Sequence, residues 1–498
     1  MSSGTAGCKR AHSIEVEQPL ASERLEHSLL LVKGRLVPKC STARQLKAIL
    51  DLPEHLSQEQ LTQLSAGGEF KLLFDLEQAN REEEEEEESA CLLELRSCTA
   101  TRTISFSYRP RRSSYRVQPL YLLCQDEEKT PAQQHEVHSL IDLNMRLVQS
   151  IYAHKLHAAG FPNRTFTLNG KCCAFRSQLT RKQALAKSED ELWHHFAGEI
   201  IACPQWGHQL LLKFVAFVGC TRYNGDAVVA SGDSSYASIR RHLKGHAALG
   251  GGGLALFGSA HFLRVAHDLR GKSATVCAAQ SKKTSPACRT RATIGGRTAA
   301  EGVMGQGFDY LNRVLTVDQP TEHLPQRIVD ARRGSPANTN SSEGGSSSTS
   351  TSSASAAAGN RGRLTKLKLQ PSSQLLDNYH NQRRHDSFYF ARNCAVILAH
   401  HRWLNLELEQ TAAADFEAAS IQLNRDTREI RSSRPIRLVE LRCNQNSLVA
   451  HYEEFEQPSV HRFQLPASLW HLLAEQCTHY VFVLTTSGDT KRLSCDSS

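Results

Sequence analysis

The sequence predicts a multi-domain α+β protein, with a β-rich N-terminal domain, an α/β middle and a C-terminal β-sandwich-like domain. Three observations carry this expectation. Short β-type runs crowd the first 125 or so positions. A long helical periodicity and then a strand-length apolar run fill the middle. A Ser-rich stretch separates a second set of short β-type runs from everything before it. Strand-type alternation and helical periodicity reflect different burial geometries, so each run carries its own signal.

The N-terminal domain is placed at 12–125. His27 to Gly34 reads as a buried strand ending in a turn, and Glu69 to Leu76 as a strand or sheet edge. Cys91 to Leu95, Thr103 to Tyr108 and Leu120 to Cys124 are further β-type runs. Glu82 to Glu88 is an unbroken acidic run whose mutual repulsion predicts a disordered loop, 82–88. The middle domain is placed at 130–320. Leu140, Leu143, Leu147, Val148, Ile151 and Tyr152 recur at helical spacing over Ile141 to Ala159, and Gly160 and Pro162 stop the helix. Ser188-Glu-Asp-Glu191 caps a second helix through Glu199, and Leu210 to Gly219 has the continuous apolar character of a central strand. Ser335 to Asn360 is almost wholly Ser, Thr, Gly, Ala and Asn, giving a linker at 334–362. The C-terminal domain is placed at 363–495. There Ile436 to Cys443 and Ser447 to Phe455 flank an Asn444-Gln-Asn446 turn, and Tyr480 to Thr486 precedes Ser487-Gly-Asp489.

Composition excludes several classes. A chain of 498 residues with 40% hydrophobic content can bury real cores. No apolar run approaches the roughly 18 residues of a membrane span, and Met1 to Arg24 is too polar for a signal core, so no membrane partner is expected and the expected location is cytoplasmic or nuclear. The net charge of +8 gathers around Arg109, Arg111, Arg112 and Arg116, over Lys272 to Arg297, and over Arg361 to Lys368. No nucleic-acid motif accompanies these clusters, and a nucleic-acid partner is not expected. The 15 cysteines are odd in number, scattered and without a C-x-x-C pair, which predicts reduced, mostly buried thiols.

The motif search yields no catalytic or metal-ligating residue. Gly250 to Gly253 lacks the Lys and Ser/Thr of a phosphate-binding loop and reads as a tight turn. No G-x-S-x-G elbow and no H-E-x-x-H are present. His242 and His246 have helical i,i+4 spacing but no Glu after the first. His195 and Glu199 share a helical face, His135-Glu136 precedes His138 at the wrong offset, and Asp386, His400 and His401 form no triad spacing. Each reads as a surface or packing residue.

Several blocks nevertheless resemble a known family. Asp142-Leu-Asn-Met-Arg-Leu-Val-Gln-Ser-Ile-Tyr-Ala-His-Lys-Leu156, Arg164-Thr-Phe166, Gly219-Cys-Thr-Arg-Tyr223 and Gly250-Gly-Gly-Gly-Leu-Ala-Leu-Phe-Gly258 appear in order. Glu301-Gly-Val-Met-Gly-Gln-Gly-Phe-Asp-Tyr310, Asn312-Arg313 and Ala395-Val-Ile-Leu-Ala-His-His-Arg-Trp403 follow. Together they resemble eukaryotic zinc metallopeptidases of the zincin, metzincin-like class. The resemblance implies a zincin-like middle domain, a zinc cofactor and a protein or peptide substrate. It also implies Met304 as a turn beneath the metal and Gly250, Gly251, Gly252 and Gly253 as a turn near the cleft.

The resemblance breaks where the chemistry should sit. In that family an H-E-x-x-H helix lies between a Thr-Ile/Leu-Gly block and a Gly-Val/Ile-Met block. Here Thr293-Ile-Gly295 and Gly302-Val-Met304 are separated by six residues, Gly296 through Glu301. A helix presenting three ligands needs about twelve residues. The segment 271–300 holds six Lys/Arg, no Asp or Glu, no aromatic residue, and only Val276 and Ile294 as large aliphatics. The expectation is therefore a metallopeptidase-family protein without an intact zinc site. A degenerate relative and an alternative or mis-assembled product both fit, as does a non-catalytic protein- or glycan-binding role on a zincin-like scaffold.

Overall fold

The computed structural model describes residues 8, 10–42, 44–53, 56–77, 88–207, 209–231, 241–259, 314–315, 390–408, 418–444, 447–457, 459–475 and 478–494. Met304, the segment 271–300, the linker 334–362 and all of the acidic run but Glu88 lie outside them. The fold is mixed α+β, built from several sheets.

Eight strands open the chain: β1 (Ser13–Gln18), β2 (Arg24–Leu25), β3 (Leu29–Val37), β4 (Gln45–Asp51), β5 (Ser57–Gln63), β6 (Glu69–Asp75), β7 (Ser89–Ser97) and β8 (Ala100–Tyr108). They form a three-stranded sheet, β1-β3-β6, and a five-stranded sheet, β2-β8-β7-β4-β5. The two share one core, in which Val32, Phe70 and Phe74 of the first meet Leu50, Leu93, Ile104 and Phe106 of the second. β5 has no apolar face. Its Gln58 and Gln60 side chains instead donate to the carbonyls of Asp75 (2.5 Å) and Leu73 (2.6 Å), tying its sheet to β6.

Next come β9 (Arg116–Leu123), α1 (Pro131–Ala158), β10 (Thr167–Leu168), β11 (Cys173–Arg176), α2 (Arg181–Ala186), α3 (Glu189–Ala202), β12 (Leu212–Val218), β13 (Arg222–Tyr223), α4 (Gly225–Ala230), β14 (Leu243–Lys244), β15 (Ala248–Gly251) and β16 (Leu254–Gly258). One sheet runs β10-β9-β12-β16-β15, with β11 also on β9. Every pairing in it is parallel except β15 with β16. Leu120 to Cys124, grouped by sequence with the first domain, belongs here. β9 pairs with β12 from Arg116 to Leu122 and with none of the first eight strands.

The continuous apolar runs are explained by helices on both faces. Successive strand residues point to opposite sides, so Val117, Tyr121, Val215, Phe217, Ala255 and Phe257 pack toward α1. Leu120, Leu122, Phe214, Ala216, Val218 and Leu256 pack toward α3. α1 also meets Leu29, Leu31 and Leu73 of the three-stranded sheet, so it is buried between two sheets. It begins ten residues ahead of the predicted Ile141. Its first turns are polar and carry no apolar periodicity; Thr130 and Gln133 start it with a reciprocal capping box, and Pro131 occupies the first turn.

After α5 (Arg392–Ala399) the chain forms β17 (Ile421–Asn424), β18 (Glu429–Ser432), β19 (Ile436–Cys443), β20 (Val449–Glu454), β21 (Arg462–Gln464), α6 (Ala467–Trp470), β22 (His479–Thr485) and β23 (Thr490–Leu493). These strands make two antiparallel sheets, β17-β18-β21 and β20-β19-β22-β23, around Ile430, Val439, Leu441, Val481 and Val483. The predicted hairpin at Asn444 is the β19–β20 pair, and Gly488, at φ +80°, turns β22 into β23. α5 is a joint. Cys394, Ala395 and Leu398 enter the α1 core, while Val396 and Ile397 touch Leu438 and Leu484.

Candidate functional site

Ligands of open α/β sheets sit outside the carboxyl ends of the parallel strands. Here those ends are Cys124 after β9, Gly219-Cys-Thr221 after β12 and Gly258-Ser259 after β16. Backbone closeness defines this rim. A Cβ on Gly219 would lie 2.8 Å from the Tyr121 hydroxyl and 2.9 Å from the Leu122 carbonyl. One on Gly258 would lie 2.1 Å from His246 Nδ1 and 2.9 Å from Thr221 Oγ1. Only glycine fits either place. Thr221 Oγ1 lies 2.9 Å from the Val218 carbonyl and 2.7 Å from the Gly245 carbonyl, and accepts from the Ser259 amide at 3.2 Å. Ser259 Oγ donates to the Val218 carbonyl at 2.6 Å.

Two thiols stand under this rim. Cys124 and Cys220 are hydrogen-bonded to one another, which holds the Cys220 thiol below its usual range and, together with burial, pushes Cys124 up. Both are buried, so the pair is shielded from substrate. Tyr121, beside Gly219, has its phenol raised by burial and bonds to Lys129.

The glycine run lies elsewhere. Gly251 pairs with Leu254, leaving Gly252 and Gly253 as a two-residue hairpin turn with φ of +52° and +108°. This is the tight turn that the sequence predicts, and Trp193 packs against it, its ring 3.7 Å from a Cβ on Gly251. The turn caps the amino end of β16, roughly 13 Å of strand away from Gly258 at 3.3 Å per residue. Gly250 to Gly253 and the carboxyl rim are therefore at opposite ends of the sheet.

Several of the singled-out histidines are absorbed by local bonds and packing. His195 Nε2 lies 3.1 Å from Glu199 Oε1 one turn on, and that oxygen also accepts the Gln178 amide at 2.8 Å. His138 stands edge-on to Tyr121, with ring centroids 5.9 Å apart. His400 Nδ1 meets the Val396 carbonyl at 2.9 Å, and burial lowers its pKa to about 4. Asp386 lies outside the described residues. Within the resembling block, Asp142 accepts the Cys172 amide at 2.6 Å, with its pKa raised by burial. Arg111, counted by sequence in a basic cluster, is buried and pairs with Glu26 at 3.2 Å.

His27 and His154 line a small cavity with Gln18, Glu23, Ser150 and Asn163. Its volume of about 10 Å³ is room for roughly one water. Ser150 Oγ and His27 Nδ1 have no partner within the protein and face that space. It is too small for a substrate.

The described residues bring four possible metal ligands together at another place. Donor atoms of Cys8, His12, Cys40 and Cys98 all lie within 4.8 Å of one another, at one end of the first pair of sheets. Sequence reasoning expected no metal ligand and read the cysteines as scattered. The available signal was local, a Cys and a His four apart at positions 8 and 12, with the other two ligands far along the chain.

The family model named Metallopep, described as "Putative peptidase family", matches residues 13–285, more than half of the chain, and the protein belongs to that family. The crystal structure of wild-type OgpA from Akkermansia muciniphila is 8% identical, covering 78% of this chain and 94% of that one, with a TM-score of 0.37. A likeness at that score carries no argument about fold or function. No curated protein matches.

A metallopeptidase family implies a metal such as zinc. A catalytic zinc keeps three protein ligands and an open position for water or substrate. Among the described residues, the only group with converging donors is Cys8, His12, Cys40 and Cys98, a thiol-rich set of four that leaves no open position. The described residues therefore do not fit a catalytic zinc. Among them, no helix is long and apolar enough to cross a membrane.

Proposed function

We propose that this chain is a metallopeptidase-family protein on a zincin-like framework that, in this form, binds protein or peptide without hydrolysing it. The observation that carries this reading is the six-residue spacing between Thr293-Ile-Gly295 and Gly302-Val-Met304, with no H-E-x-x-H anywhere in the chain. Hydrolysis by a zinc peptidase needs a metal-bound water and a carboxylate to take its proton, and neither role can be assigned to a residue here. Supporting it, the family match reaches residue 285, just ahead of that spacing. Also supporting it, among the described residues β15 is the last strand of its sheet and carries Gly250 and Gly251, beyond the Ala248 amide that Glu189 already holds, and an extended peptide would add there by main-chain hydrogen bonds.

A second reading is favoured by the composition of 271–300: coil-like sequence stands where core sequence is expected, as in an alternative product of a gene whose intact form is an active zinc protease. Cleavage of a denatured protein substrate, with and without a chelator, tests the main reading. We expect no cleavage by the purified chain; chelator-sensitive cleavage would overturn it. Sequencing transcripts across the codons for Ser285 to Met304 tests the second, which an inserted H-E-x-x-H would establish.

A further inference from the structure

We propose that Cys8, His12, Cys40 and Cys98 form a structural zinc site that clamps one end of the N-terminal pair of sheets. The site is independent of the peptidase cleft and of whether this chain hydrolyses anything.

Four features argue for it. The first is spacing. Cys8 Sγ lies 3.2 Å from His12 Nε2, and Cys40 Sγ lies 3.6 Å from Cys98 Sγ. A tetrahedral zinc with Zn–S near 2.3 Å and Zn–N near 2.0 Å separates its donors by roughly 3.5–3.8 Å. The second is orientation. His12 Nδ1 donates to the Pro38 carbonyl at 2.7 Å, which leaves the Nε2 lone pair facing the thiols. Zinc-bound histidines are commonly fixed in this way, by a carbonyl on the other ring nitrogen.

The third is the backbone at Cys98. Ser97 pairs with Ala100, so Cys98-Thr99 is a two-residue hairpin loop, and Cys98 adopts φ +55°. Gly, Asn and Asp suit that left-handed position, whereas a cysteine is strained there. The strain aims Cys98 Sγ at Cys40. The fourth is connectivity. Cys8 and His12 precede β1, Cys40 follows β3, and Cys98 joins β7 to β8, so the ligands come from both sheets. Thr99 Oγ1 also bonds the Arg10 carbonyl at 3.2 Å, binding the hairpin to the N-terminal arm.

Three thiols and an imidazole favour zinc over magnesium or calcium, which require oxygen donors. Binding would release the thiol protons, and three thiolates with Zn²⁺ leave one net negative charge. Arg10 and Lys39 flank the ligands in sequence and can balance it.

The test uses the full chain purified under reducing conditions. Metal analysis should find one zinc per chain, and after its removal Co²⁺ should give the visible bands of a tetrahedral thiolate site. Cys40→Ser and His12→Ala should each lower zinc content to below a fifth of that of the parent. Two zinc ions in the parent and one in Cys40→Ser would support this site, and the non-hydrolytic reading would still be decided by the cleavage assay alone. Cys98→Asn separates a ligand from a strained bystander. If Cys98 binds zinc, Asn lowers the melting midpoint by several degrees and removes the response to chelator. If it does not, relieving the strain raises the midpoint. The proposal is overturned by that rise, by zinc at background level with no Co²⁺ spectrum, by another metal in zinc's place, or by a Cys40–Cys98 disulfide in the reduced-buffer preparation.

Discussion

Buried histidines, His27 and His154 among them, set part of this protein's response to acid. Both are buried, and burial lowers the first to about 4 and the second to about 2. In the unfolded chain each titrates near the ordinary 6.5. As pH falls below that value the unfolded state takes up protons that the fold refuses. The stability each provides is therefore complete above about 6.5 and is lost on the way down toward its folded pKa. The loss is about 1.4 kcal/mol per pH unit for each histidine. Chemical denaturation at pH 7.5 and pH 5 should show a clear drop in stability, partly removed in His154→Gln. Gly258 offers a steric test at the same scale. Gly258→Ala should cost about 1–3 kcal/mol, because the new methyl meets the His246 ring and Thr221, and urea titration would measure it.

At the scale of elements, α1 and β12 hold the centre. Removing the cap of α1 with Thr130→Ala should cost about 1 kcal/mol, since the Gln133 amide loses its partner. Phe217→Ala on β12 should cost about 3–5 kcal/mol, because Phe217 is fully buried and stacked on Phe257 with ring centroids 5.7 Å apart. Both follow from unfolding midpoints in denaturant. Beside its apolar contacts, α5 is linked to the C-terminal sheet by polar groups. Asn393 donates to Glu440 at 2.7 Å, and Glu440 pairs with Arg442 at 2.5 Å with both side chains buried. Glu440→Ala would leave the Arg442 charge buried without its partner, and we expect a loss of about 3–5 kcal/mol in the same titration. Elements such as β3, β6, β12, β19 and β22 were legible in the sequence because burial imposes a local period on them. β5 was not, since its Gln side chains bond to carbonyls rather than packing on a core. The first turns of α1 were missed because a cap, not an apolar stripe, begins them.

For the whole molecule, the proposed zinc changes how activity should be tested. Metal content alone no longer discriminates a peptidase from a non-hydrolytic relative, because a structural zinc at the N-terminal end would be found in either. Chelator-sensitive cleavage remains decisive for the cleft, and zinc content of Cys40→Ser decides the clamp. The molecule also joins its parts more closely than the sequence implied. α1 packs against two sheets, and Arg392 of α5 reaches Glu454 of β20 at 2.7 Å and the Ala159 carbonyl at 2.6 Å. The glycine run and the carboxyl rim, both part of the resembling blocks, face opposite ends of one sheet, so the blocks span more of the framework than a single pocket.

The sequence by itself determined the strands with a buried period, the helix that Gly160 ends, the hairpin turns at Gly252-Gly253 and Gly488, and the six-residue spacing where a zinc helix would need more room. Each is a property of neighbouring residues, and local backbone sterics or side-chain periodicity fixes it. Only the tertiary structure decided that β9 leaves the first sheets for the parallel one, and that Cys8, His12, Cys40 and Cys98 converge. Cys40 and Cys98 are 58 residues apart, and their approach is set by how the two sheets stack. No spacing rule along the chain carries that information, because it resides in the packing of one sheet's apolar face on another's.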